Sequence, residues 1–421
     1  MQLFHEIGAE IETLWRNRDY DEAIFPEIAA QVLKFADLPA KTSAWKVIEW
    51  AMRETNLPVQ RDLPGRFGDP PITIFNAPRF HIDVYFWLKG TTAIHQHSFC
   101  GAFQVLHGSS IHSWYEFERN EIINTFTELG NINLKICELL NVDDIQQIWA
   151  GKQYIHGLFH LEQPSATIVV RTHKSPLFLP QFAYYKPHLA IDPFFEEPNT
   201  IKKMQCVTAL IRSKHPQTDE FIADWLKNAD FQPIFQILST LRGYLRPNQM
   251  DQMFNLSETK NRFDALVEIA KEKHGKRADV FPKIFAHLEN KDEIVRRRSF
   301  ITDPEHRFFL ALLLNVEGKE QIFALVKKRF PDSEPLEKVL DWTFDLAQTR
   351  VLGEKIPNAL GIADFDDTDL SILESLLQNK TAEEIPAIVA TEYGAENIEN
   401  LVQRIENIQK AVVFQPLLSN S

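Results

Sequence analysis

The sequence predicts a mixed α+β protein, with a β jelly-roll barrel set between an N-terminal helical segment and a C-terminal all-α domain. Three observations carry this expectation. Apolar residues step at helical spacing before residue 57, short β-branched and aromatic runs broken by Gly, Asn and charged turns fill 72–172, and helical spacing returns beyond Pro180, Pro187, Pro193 and Pro198. The expected boundaries are 1–57, 58–190 and 191–421.

In the first segment Leu3, Ile7, Ile11 and Leu14 recur on one helical face, as do Ile24, Ile28 and Val32. Ser43 is placed to cap a further helix carrying Trp45, Ile48 and Met52. Between 57 and 71 the residues Pro58, Pro64, Gly65, Gly68, Pro70 and Pro71 mark a linker into the barrel. Strands are expected at 72–75, 80–88, 91–97, 102–106, 111–117, 122–126, 132–140, 146–149, 154–160 and 167–172. Many short strands at this spacing fit a double-sheet jelly roll. In the run 80–88, His81, Asp83, Tyr85 and Trp87 share one face and Ile82, Val84, Phe86 and Leu88 the other; the first set is a candidate pocket wall in a ligand-holding barrel, the alternative being a face turned to solvent or to a neighbouring helix. In the C-terminal half, Asp303-Pro304-Glu305 reads as a helix start, and Thr381 with Glu384 has capping-box spacing. That half shows no catalytic pattern, so packing, homodimer formation or covering the barrel mouth is its expected role.

Charge and composition narrow the function. The chain has 421 residues and a formal charge of −13, which argues against nucleic acid or an anionic membrane as partner. Cys100, Cys137 and Cys206 are too few and too scattered for a disulfide framework, so a reducing cytoplasm is expected. Glu6, Glu10 and Glu12 interrupt any secretory leader, and the apolar run at 308–316 falls well below the ~18 residues of a membrane span.

The chemistry concentrates at 87–108. His95 and His97 sit two apart among strand-favouring residues, so both imidazoles project from one face. A third histidine would make a metal centre of them, and His160 at the end of the run 154–160 is the expected donor. His156, four residues earlier on the same face, is expected in the substrate pocket and is an alternative ligand or a supporting residue. Three neutral nitrogen donors with open positions suit Fe(II), Zn, Mn, Ni or Cu. His107 and His112 flank a turn and read as surface residues, while Cys100 reads as a buried thiol.

This pattern resembles the cupin superfamily. Gly90, His95, His97 and Gly108 match its first motif, with the usual Glu replaced by Gly101; His156-Gly157-Leu158-Phe159-His160 stands for the second, without its Pro and Asn. Loss of the Glu resembles the three-histidine branch, which holds cysteine dioxygenase and related thiol dioxygenases. The resemblance implies Fe(II) on His95, His97 and His160, with O₂ and a small anionic substrate, a thiol among the candidates. Aligned on Ser175-Pro176, Val169, Arg171 and His173 stand where that branch has a Ser-His-Tyr set. A carboxylate would want a guanidinium clamp, for which Arg79 and Arg171 are candidates, with His173 beside them. The expected function is therefore a non-haem iron oxygenase. The alternatives are a Zn- or Mn-dependent isomerase or hydrolase, and a non-enzymatic ligand-binding barrel that signals through its helical domain.

Overall fold

The computed structural model describes residues 2–63, 67–88, 91–245, 258–351, 358–394 and 400–418, without the side chains of 258–261, 298 and 299. Gly90, part of the expected first motif, lies outside these residues, as do Pro64 and Gly65 of the linker. Helices α1 (Gln2–Arg16), α2 (Phe25–Ala36), α3 (Leu38–Lys41) and α4 (Ala44–Arg53) lead the chain. Ser43 caps α4, its Oγ accepting from Lys46 N at 3.4 Å. Strands follow: β1 (Pro71–Asn76), β2 (Phe80–Trp87), β3 (Ile94–His95), β4 (Gly101–His107), β5 (Ser110–Asn124), β6 (Thr127–Leu140), β7 (Ile145–Ile148), β8 (Ile155–His160), β9 (Ser165–Thr172), β10 (Ala183–Tyr185) and β11 (Leu189–Ile191). Helices then run from Pro198–Arg212 to Gln415–Leu418. Asp303 Oδ1 accepts from Glu305 N and His306 N, with Pro304 in the first helical position, and Thr381 and Glu384 exchange backbone-to-side-chain bonds at 2.7 and 3.3 Å.

One sheet has the order β1-β2-β9-β4-β7; the other, β10-β11-β6-β5-β8-β3, closes on itself through β3 and β10. From β3 to β9 the chain keeps crossing between the sheets. Their facing sides meet through Phe99, Phe103, Val105, Ile148 and Val169 from one direction and Leu140 and Leu158 from the other. The alternation of β2 divides its two faces between two environments. Ile82, Val84 and Phe86 pack with Phe4, Ile11, Trp15, Phe25 and Val32 of the N-terminal helices, while His81, Asp83, Tyr85 and Trp87 turn to the space between the sheets. The second sheet is covered by the C-terminal half: Ile111, Leu139, Phe159 and Leu161 share a core with Phe308, Phe309, Leu312 and Ile322. At its far end Leu129, Leu189 and Ile191 pack on Phe231, Ile234, Leu238 and Phe281. Helices thus shield the outer faces of both sheets.

Three elements depart from the expectation. The strand expected at 91–97 is only the two residues of β3, with Thr91 and His97 in isolated bridges to Phe159 and Ala150. The runs expected at 111–117 and 122–126 are one long strand, β5, paired along its length with β6 through register shifts near Trp114, Arg119 and Ile122. Bulges let a strand keep pairing through a break in its alternation, which hides its continuity from a sequence pattern. The proline-rich stretch after 180 contains β10 and β11, each three residues long, and these complete the barrel between β3 and β6.

Gly101 explains the missing Glu. It pairs with Arg171 across β4 and β9, and a Cβ there would collide with the carbonyl oxygen of Val170. No side chain fits that position without separating the two strands. The Gly101→Ala substitution is expected to cost about 1–3 kcal/mol in urea unfolding. A change within about 0.5 kcal/mol, the ordinary surface value, would show that the strands yield freely.

Candidate metal centre

His95 lies on β3 and His97 just beyond it, and both point inward as the two-residue spacing predicts. The partner strand brings in a third imidazole. Antiparallel pairing sets His95 directly opposite His156 on β8. Among the described residues, His95, His97 and His156 form a buried group whose ligand atoms all lie within 4.8 Å of one another.

The expected third donor, His160, is not part of this group. Its side chain shares the inward face of β8, but four residues of strand amount to roughly 13 Å. Pairing sets His160 opposite Ser110; its ring stacks on Trp87 at 4.6 Å, and its Nδ1 lies 2.7 Å from Ser165 Oγ. The motif position favours His160 and the shared face admits both, but the pairing sets His156 opposite His95.

The geometry of the three rings suits a cation. His95 Nδ1 lies 2.7 Å from Ala93 O, so it carries the proton and leaves Nε2 bare. His97 Nε2 and His156 Nε2 are 2.8 Å apart, close to the ~3 Å that separates two nitrogens bound at about 2.1 Å and near a right angle. His97 Nδ1 is buried without a hydrogen-bond partner among the described residues. Burial pushes the pKa of His95 down, against the pull of the Ala93 carbonyl, and holds His97 and His156 well below the ordinary imidazole range. All three rings are therefore neutral at physiological pH, the state in which imidazole binds a metal. The donor set fits a divalent cation.

A cavity of about 520 Å³ opens beside these rings, within the range of small-molecule sites. His81, Asp83, Tyr85 and Trp87 form one wall as expected, and Arg171 and His173 stand on the neighbouring side. Arg171 Nε donates to His81 Nε2 at 2.9 Å, and its guanidinium lies 4.2 Å over the ring of Phe99. Phe99 in turn contacts the His97 ring at 4.4 Å, so a single aromatic layer separates the guanidinium from the imidazole cluster. Because His81 Nε2 accepts from Arg171, it bears no proton, and the 3.3 Å approach of Asp83 Oδ2 is not an ion pair. Burial accordingly lowers the His81 pKa. Tyr85 donates to Asp83 at 3.1 Å, and His173 stacks on His81. Burial alone would raise the Asp83 pKa, but it is lowered on balance, with the positive charge of Arg171 among the causes.

Arg79, expected as a clamp, does not line the cavity. Its guanidinium lies 4.2 Å over the ring of Tyr20, in the layer of N-terminal helices. His112, expected at the surface, is wholly buried: its Nε2 lies 2.7 Å from His156 Nδ1. The sequence signal for it was present, since His112 and Trp114 alternate on β5 with the outward Ile111, but the nearby turn masked it. His107 is exposed and Cys100 is buried.

No protein-family model and no curated protein matches the chain. Among solved structures, an uncharacterized conserved protein with a double-stranded β-helix domain from Klebsiella pneumoniae subsp. pneumoniae is 15% identical over 25% of this chain and 78% of its own, with a TM-score of 0.17. The capsular polysaccharide assembling protein CapF from Staphylococcus aureus is 15% identical over 37% of this chain, which spans 43% of it, with a TM-score of 0.19. Likenesses at these scores decide neither fold nor function. No helix among the described residues is long and apolar enough to cross a membrane.

In a Co(II) titration followed by visible absorption, His156→Ala is expected to lose at least ~100-fold in affinity while His160→Ala stays close to the parent. The opposite ranking would restore His160 as the ligand. The depressed imidazole pKa values also predict a pH dependence. Below about 6.5 the unfolded chain takes up protons that the buried rings refuse, so metal-free stability is full above that pH and falls as pH drops toward the lowered folded values. Urea midpoints of the metal-free protein should decline from pH 7 to pH 5, and a flat profile would mean the rings are not held neutral.

Proposed function

We propose that this chain is a cupin-like non-haem iron oxygenase that acts on a small carboxylate-bearing substrate. The observation that carries this reading is a buried group of three neutral imidazoles, two of which, His95 and His97, line a cavity that also presents the Arg171 guanidinium. His95, His97 and His156 would hold the metal. When bound, Fe(II) would supply open coordination positions for substrate and O₂ together with the electrons that oxygen activation needs. The resemblance to three-histidine cupins supports iron, and Gly101 leaves no room for a carboxylate ligand to take an open position.

The remaining residues bind and shape. Arg171 is held in place by His81 and Phe99, so its free donor edge can accept a carboxylate without a large loss of side-chain freedom. Asp83 and Tyr85, bonded to each other, keep the polar wall fixed behind it. Phe99, Phe103, Ile148, Leu158 and Val169 give the cavity an apolar stretch of wall, while Arg61, Asp62, Lys174 and Gln181 add charged and polar groups to its lining. A substrate with a carboxylate on Arg171 and a second donor toward the imidazoles fits this arrangement, and a thiol can serve as that donor.

The test is anaerobic Fe(II) loading followed by O₂ uptake against small carboxylates with thiol, hydroxyl or keto second donors. One iron per chain and uptake stimulated by one of these substrates is the expected result. Arg171→Gln should raise KM by about 10–100-fold, the worth of a charge-assisted bond, with a smaller effect on kcat. Stoichiometric iron with no stimulated uptake would end the oxygenase reading. Turnover by the zinc form without O₂ would replace it with an isomerase or hydrolase.

A further inference from the structure

We propose that His112 is a positioning residue for the metal centre, fixing the tautomer and tilt of His156. This rests on the reading of His95, His97 and His156 as ligands. A neutral imidazole has one bare nitrogen. For His156 to offer Nε2 to a cation its proton must sit on Nδ1, and that N–H needs an acceptor. His112 Nε2, at 2.7 Å, is placed to be that acceptor. The bond then sets the second ring as well, since a bare His112 Nε2 leaves the His112 proton on Nδ1, a buried nitrogen with no hydrogen-bond partner among the described residues.

His112 is itself held in place. It has no exposed surface, and its ring packs 3.9 Å from the Trp114 ring and 5.6 Å from Phe103. In the β5–β8 pairing Trp114 stands opposite His156 and His112 opposite Leu158, so the two imidazoles meet on the diagonal. Three rings thus form a chain, His112 to His156 at 2.7 Å and His156 to His97 at 2.8 Å, in which the first is outside the ligand group and orients the second. A ligand histidine commonly gives its second N–H to a carbonyl or carboxylate; here a neutral imidazole takes that place.

The experiment compares the full-length parent with His112→Phe, which keeps a ring but removes the acceptor, and His112→Gln, whose amide oxygen can accept. His112→Leu supplies the same deletion at smaller volume if the Phe variant does not fold by circular dichroism. Affinity is read by competition of Zn(II) against a chromophoric chelator. Pulsed EPR of the Cu(II)-loaded proteins reads the remote nitrogens of the ligand imidazoles. The expected result is a loss of about 10–100-fold for the apolar variants, recovery of most of it in His112→Gln, and a changed remote-nitrogen coupling in the apolar variants. Apolar variants with parental affinity and unchanged coupling would overturn the role. So would a His112→Gln variant as weak as the apolar ones, which would mean that shape rather than the hydrogen bond matters. A parent that binds no metal would remove the metal reading itself and this role with it, an outcome distinct from the other two.

Discussion

One antiparallel register organises this molecule. With His95 opposite His156, two short strands bring imidazoles from distant parts of the chain together, and His156 Nε2 comes within 2.8 Å of His97 Nε2. A one-residue slip would turn every side chain of β8 to the other face, sending His156 toward the helices and Phe159 into the cavity. The outer face resists that slip, because Phe159 and Leu161 are buried with Phe308, Phe309 and Ile322 of the C-terminal half. Among the described residues, the helices from Pro198 onward contribute to the site without lining the cavity: their apolar core supports the register on which the cluster depends.

The same logic divides the first sheet. The apolar face of β2 is satisfied by the N-terminal helices, which leaves its polar-aromatic face committed to the interior. Burying His81, Asp83 and Arg171 together is costly unless each finds partners, and they do so through one connected set of contacts that also includes Tyr85 and Phe99. The set leaves the guanidinium fixed beside the cavity. The charge of that guanidinium suits an anion.

Much of this was legible in the sequence because it depends on local periodicity. The helix starts at Ser43 and Asp303, the two faces of β2, and the shared direction of His95 and His97 all follow from spacing within a few residues. What depends on pairing between distant strands was not legible. His156 and His160 share a face and differ in the residue that stands across from each, a fact held by β3 and β5 rather than by β8. His112 was hidden the same way, since its burial comes from the strands and helices packed around it and not from its neighbours in sequence. Strands β10 and β11 are too short to show an alternation, and they exist because β3 and β6 offer edges to pair with.

The central claim is that three particular nitrogens share one cation. Anomalous diffraction from crystals of the Co(II)-loaded protein measures this most directly. A single peak at about 2.0–2.2 Å from a nitrogen of each of His95, His97 and His156 is the predicted result. A peak beside His160 and Trp87, or full cobalt occupancy elsewhere with the bond between His97 and His156 still intact, would contradict it.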